Sequence, residues 1–155
     1  MIVIGLGNIL LCDEGIGVHV VNALRERELP DGVELVDGGV AGFTLLNMLE
    51  GETRAVIVDA VSAPLPPGTV VRLDPKEVGK SKEEKYSLHD FSLRDVLDLM
   101  NLRGTTPEML ILGIVPGDIH TYKIGLSPEL EEKFEDIVEK VRKEIEKYAR
   151  QERST

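Results

Sequence analysis

Apolar and polar positions along this chain follow two rhythms. Ile2-Val3-Ile4 is a short continuous apolar run and predicts a buried strand. From Ile16 to Leu29 the apolar residues return at spacing four, at Ile16, Val20 and Leu24, which predicts a helix with one buried face. Val33 to Val36 predicts a second strand, stopped by Asp37-Gly38-Gly39. Phe43 to Leu49 predicts a short helix, and Ala55 to Val58 a third strand ending at Asp59. This β-α-β-α-β order calls for a parallel sheet with helical crossovers.

The rhythm then breaks. Val61 to Gly68 contains three prolines and is too short for a helical crossover, so the next strand, Thr69 to Leu73, is expected to run antiparallel. Asp74 to Leu88 is polar and lysine-rich and reads as a mobile loop. A helix is expected from about Asp90 to Leu102, and an apolar final strand over Met109 to Val115. Ser127-Pro128-Glu129 has the form of a helix start, a capping serine followed by proline in the first turn. Leu130, Phe134, Ile137, Val138, Val141, Ile145 and Tyr148 continue it as one stripe, and the tail after about Arg150 is expected to fray.

Composition narrows the picture. A length of 155 residues, 42% apolar, fits one domain with a substantial core. No basic leader precedes Met1-Ile2-Val3-Ile4, and no apolar run nears the roughly 20 residues of a membrane span. A single cysteine, Cys12, rules out an internal disulfide and fits a cytoplasmic setting. The net charge of −10 opposes binding to nucleic acid or anionic lipid and favours a cation or a metal-carrying partner. A monomer is the expected state.

The candidate chemistry gathers at one sheet edge. In an open parallel sheet, ligands bind beyond the carboxyl ends of the strands. Glu14 follows the first strand, Asp37 ends the second and Asp59 ends the third. His89 joins them through a helix start, with Ser87 as a cap and Asp90 three residues on. Glu14, Asp59 and His89 suit either a borderline divalent metal or general acid-base work, and spacing does not choose between them. Simpler roles exist for each. The helix dipole alone favours Asp13 and Glu14, Asp37 suits a turn, and His89 suits a helix start. His19 and His120 read as structural or surface residues, and Cys12 as a small loop residue rather than a reactive thiol.

Gly5-Leu6-Gly7 opens like a dinucleotide-binding turn, but the third glycine is missing. Asp37 falls 30 residues beyond Gly7, where about 20 is usual. Asp13 and Glu14 would repel a pyrophosphate at the helix start.

The stretch Gly5-Leu6-Gly7-Asn8-Ile9-Leu10-Leu11, with Asp13-Glu14-Gly15 and Gly17, closely resembles the hydrogenase maturation proteases. Asp37-Gly38-Gly39, Asp59-Ala60, His89 before a helix, Gly113-Ile114-Val115-Pro116 and Gly125-Leu126-Ser127-Pro128 extend the likeness over nearly the whole chain. The resemblance implies a phosphorylase/hydrolase-like α/β fold. This is a three-layer α/β/α sandwich around a mixed five-stranded sheet of order 2-1-3-5-4, with strand four antiparallel. It implies an endopeptidase that removes the C-terminal extension of a nickel-iron hydrogenase large subunit precursor. Glu14, Asp59 and His89 would contact nickel carried by that substrate, and Asp37, Gly38 and Gly39 would line the channel for its tail. The Asp74–Leu88 loop matches no signature of the family.

Two other readings share these residues. Peptidyl-tRNA hydrolases also end their first strand in Gly-Leu-Gly-Asn, but Ile9-Leu10-Leu11 departs from their pattern and the negative charge is awkward for tRNA. A non-catalytic chaperone for the nickel subunit would use the same ligands.

Overall fold

The computed structural model describes residues 1–77, 87–88 and 91–151. Its strands are β1 (Ile2–Leu6), β2 (Glu34–Gly39), β3 (Arg54–Ser62), β4 (Val70–Leu73), β5 (Ser87–Leu88) and β6 (Glu108–Ile114). Its helices are α1 (Ile16–Leu24), α2 (Thr44–Leu49), α3 (Phe91–Arg103) and α4 (Pro128–Arg150). The main sheet runs β2-β1-β3-β6-β4, which is the predicted 2-1-3-5-4 order once the two-residue β5 is counted. β1 pairs in parallel with β2 and β3, β3 in parallel with β6, and β4 antiparallel to β6.

The antiparallel strand follows from chain length. Six residues separate the ends of the proline-rich stretch, and they can only turn back on the sheet. Alternation along β3 divides the interior into two layers. Val56, Val58 and Ala60 face a core built with α1 and α4, including Ile16, Val20, Val138 and Val141. Ala55, Ile57 and Val61 face a second core built with α2 and α3, including Leu45, Leu49, Leu93 and Leu97. Asp59 shares the parity of this second set.

α4 forms as its sequence directs. Ser127 caps it, accepting from Leu130 N at 3.4 Å, with Pro128 in the first turn. Glu129 and Glu131 lie in the first turn and Lys147 and Arg150 in the last, matching the helix dipole at both ends. α1 ends at Leu24 rather than Leu29. Arg25, Glu26 and Arg27 close it with three-residue turns, where the sequence turns polar ahead of Pro30. α1 lies unusually close to the sheet because Gly17 has no side chain. A Cβ there would stand 2.2 Å from Val58 O and 2.4 Å from Leu6 O.

Three expectations change. β3 continues through Ala60, Val61 and Ser62, so Asp59 lies within the strand instead of ending it. β2 likewise runs past Asp37 to Gly39. Ser87 does not cap α3: it pairs with Ser62 in β5, and α3 starts at Phe91. Of the predicted 74–88 loop, Pro75–Glu77 is a short 3-10 turn and Ser87–Leu88 is strand, while 78–86 lie outside the described residues. Only Gln151 of the predicted frayed tail is described; 152–155 lie outside.

Candidate active site

Sheet order fixes where a ligand can enter. The chain leaves β1 for β2 on one side and crosses back to β3 on the other, so a crevice opens between the carboxyl ends of β1 and β3. The last residue pair between those strands is Gly5 with Val58. Asp59 is the next residue of β3, just where β1 parts from it. The loop leaving β1 carries Glu14.

Glu14 belongs to a 3-10 turn, Cys12–Gly15, that leads directly into α1 and packs against β3. The turn is held from several directions. Glu14 N donates to Leu11 O at 3.1 Å. Gly7, at φ +140°, brings the end of β1 so close that a Cβ would stand 2.1 Å from Glu14 O. Cys12 N donates to Lys123 O at 3.0 Å, and Asp13 N to Asp118 O at 2.9 Å.

Asp13 is the anchor of this arrangement. It is fully buried, accepts from the adjacent Cys12 Sγ at 3.8 Å, and accepts four more hydrogen bonds from far along the chain. They come from Gly117 N and Asp118 N at 2.8 Å each, Ser127 N at 2.7 Å and Ser127 Oγ at 2.6 Å. A buried carboxylate is tolerable only when so satisfied. It ties the turn carrying Glu14 to the loop after β6 and to the cap of α4. Its spacing in the sequence allows the helix-dipole role, but its function is this clamp.

The loop after β6 is itself rigid. Asp118 accepts from Thr121 Oγ at 2.5 Å, His120 N at 2.9 Å and Thr121 N at 3.0 Å. The Thr121 hydroxyl, followed by the two amides, holds the Asp118 carboxyl down at about 2.

Glu14 is half-buried, so its side chain keeps access to solvent. Asp59 is 2% exposed, and its Oδ1 accepts from Ala60 N at 2.8 Å. The two candidate carboxylates differ in exposure, Asp59 buried and Glu14 half-buried. Leu88 pairs with Val61, two residues beyond Asp59, and His89 follows Leu88 in sequence. His89 itself lies outside the described residues.

Asp37 is exposed, accepting from Gly39 N at 3.0 Å and Asn22 Nδ2 at 3.3 Å. Asp37 lies within β2, two residues from its end, and does not end the strand in a turn. Gly39 O in turn accepts from Gly7 N at 2.9 Å, which sets the end of β2 beside the β1 loop.

Cys12 is 1% exposed at φ +52°, an unusual backbone for a residue with a side chain. Burial, then the adjacent Asp13, push its thiol up, which opposes any role as a thiolate ligand. His120 is exposed. His19 is half-buried on α1, with an Nε2 that has no partner among the described residues.

Relatives of known type share this architecture. The hydrogenase maturation protease family model matches residues 18–144. The Hydrogenase 2 maturation protease of Escherichia coli (strain K12) is 42% identical over 144 residues, 91% of this chain and 87% of its own length. The structure of the hydrogenase maturating endopeptidase HybD from E. coli overlays with a TM-score of 0.74 at 38% identity, covering 90% of this chain and 88% of that one. The [NiFe] hydrogenase maturation protease HybD from Thermococcus kodakarensis gives 0.71 at 29% identity, covering 93% and 97%.

Proposed function

Because this chain belongs to the hydrogenase maturation protease family, whose members are peptidases, we propose that it trims the C-terminal extension from a nickel-loaded hydrogenase large subunit precursor. The reading is supported by the position of Asp59, buried on β3 one residue past its last pair with β1, and by the clamped turn after β1 that carries Glu14.

Two carboxylates and the imidazole of His89 form a donor set suited to nickel, a borderline cation. Nickel is part of the substrate in this reading, and the three side chains read its presence. Leu88 pairing with Val61 supports the inclusion of His89, since it brings the chain next to His89 alongside β3. Substrate-borne nickel held by these side chains would position the scissile bond and polarise water or carbonyl. An adjacent carboxylate would take the proton of the attacking water and pass it to the amine of the tail as the peptide C–N bond breaks. The Asp37-Gly38-Gly39 end of β2 flanks the channel for the departing tail, supported by its hydrogen bond to Gly7. The reaction takes place in the cytoplasm. Among the described residues no helix is long and apolar enough to cross a membrane. Family membership carries the peptidase reading over the tRNA esterase one.

The direct test incubates the protein with nickel-loaded and nickel-free precursor and weighs the products by mass spectrometry. A C-terminal fragment from the loaded form alone is expected. Equal cleavage of both forms removes nickel reading, and intact precursor in both favours a chaperone that holds without cutting.

A further inference from the structure

Seven large hydrophobic side chains are exposed among the described residues, and six sit at one edge of the sheet. Ile9 and Leu10 lie in the loop after β1, Val40 and Phe43 after β2, and Tyr122 and Ile124 after β6. Each loop follows a parallel strand, so all six share the carboxyl edge with Glu14 and Asp59. The seventh, Leu102, ends α3 at the opposite edge. Single exposed apolar residues are ordinary, whereas a concentration around one crevice marks a contact surface.

The three loops are fastened to one another. Lys123 N donates to Leu10 O at 2.9 Å and Cys12 N to Lys123 O at 3.0 Å, so the β1 and β6 loops pair like short parallel strands. Gly7 N donates to Gly39 O on the other flank. The result is a continuous band: Val40 and Phe43, then Ile9 and Leu10, then Tyr122 and Ile124. Phe43 is 66% exposed and Tyr122 is 86% exposed, so most of each ring is available to a partner. A band already held in place loses little freedom on binding.

Charge selects the partner. Glu14 and Asp118 on these loops and Asp37 near the end of β2 present carboxylates, with Asp13 buried, against one lysine, Lys123, whose ammonium is turned onto Leu126 O at 3.0 Å. A matching surface is apolar at its rim and positive at its centre.

We infer that this band docks the apolar face of the protein substrate around its cleavage site, with Phe43 and Tyr122 as the two anchors on opposite flanks of the crevice. The inference rests on the peptidase reading above, and it assigns binding to residues that take no part in the chemistry. A large exposed aromatic that becomes buried at the centre of an interface commonly dominates its affinity.

The test measures precursor binding to Phe43→Ser, Tyr122→Ser and the combined variant, with Leu102→Ser as control, alongside single-turnover cleavage at saturating enzyme. The combined variant is expected to weaken Kd by about tenfold or more while cleaving at the wild-type rate once bound. Leu102→Ser is expected to bind as wild type does. Thermal melts confirm folding, since all three side chains are exposed. A combined variant that binds within about twofold of wild type overturns the docking surface and leaves the peptidase reading standing. Variant-sensitive binding without cleavage does the reverse. Failure of wild type to bind overturns both. Light scattering that shows a dimer lost in the combined variant, with precursor affinity intact, assigns the band to a second copy of the chain and overturns the proposal.

Discussion

Asp13 accepts hydrogen bonds from both the backbone N–H and the hydroxyl of Ser127, a residue 114 positions further along the chain. One carboxylate therefore joins the first loop to the cap of the last helix. Asp13→Ala leaves the amides of Gly117, Asp118 and Ser127 without their acceptor and should cost about 3–5 kcal/mol. Ser127→Ala should cost about 1–2 kcal/mol, combining the lost cap with one lost donor. Urea denaturation of both and of the double variant should show coupling, because the two residues share one network.

Glu14 is the next residue, yet its replacement should behave in the opposite manner. Glu14→Gln is expected to abolish precursor cleavage while changing stability by no more than about 0.5 kcal/mol, since the side chain reaches solvent. Cleavage assays paired with denaturation curves separate the neighbours. An Asp13 variant that is stable, or a Glu14 variant that is active, would reverse the assignment.

Gly17→Ala should cost more than about 3 kcal/mol or prevent accumulation of folded protein, because the added methyl meets two backbone carbonyls that cannot move independently of the sheet. Gly104→Ala is the comparison. Gly104 has φ +69° with open space around it, so alanine there pays only the backbone term, about 1–2 kcal/mol. Denaturation midpoints rank the two.

Arg54 is buried at the start of β3, donating to the carbonyls of Tyr148 and Gln151 with its guanidinium 4.1 Å from the centroid of the Tyr148 ring. It fastens the C-terminal end of α4. Arg54→Lys keeps the charge but loses the fork and the stacking, and should cost about 1–2 kcal/mol. Hydrogen exchange should speed up in the last turn of α4 ahead of the rest of that helix.

His19 gives a pH signature. Burial pushes its imidazole down, outweighing the attraction of Glu131, Asp37 and Asp13. The unfolded chain then binds a proton that the folded one refuses. Stability is full above the ordinary value of about 6.5 and falls as pH drops below it. His19→Gln should flatten this limb in denaturation measured across that range. An unchanged slope in the variant would assign the limb to other groups.

The strands, the parallel β-α-β units and α4 were legible because they rest on local rhythm, continuous apolar runs for buried strands and a sustained stripe behind a Ser-Pro start for the helix, whereas the 2-1-3-5-4 sheet order came from the family resemblance. The extent of β3 was not legible. Ala60, Val61 and Ser62 follow a charged residue, and a lone Asp inside a strand looks like its end. Ser87 matched a capping pattern but was taken by pairing with Ser62, a contact that no local pattern records. Glu14 and Asp59 were singled out by the rule that ligands gather at strand ends, although β3 continues past Asp59. Asp13 had the same local pattern as Glu14, and only a contact with the far end of the chain distinguishes them. The apolar band escaped notice for a similar reason: Ile9, Phe43 and Tyr122 are ordinary until three loops bring them together.

The tie between Asp13 and Ser127 also imposes an order of assembly. A ribosome delivers the β1 loop early and the cap of α4 only in the final stretch of synthesis. Until then the turn that presents Glu14 lacks most of the donors that hold it. In the nascent chain, therefore, this turn reaches its folded form late, once the C-terminal helix has docked.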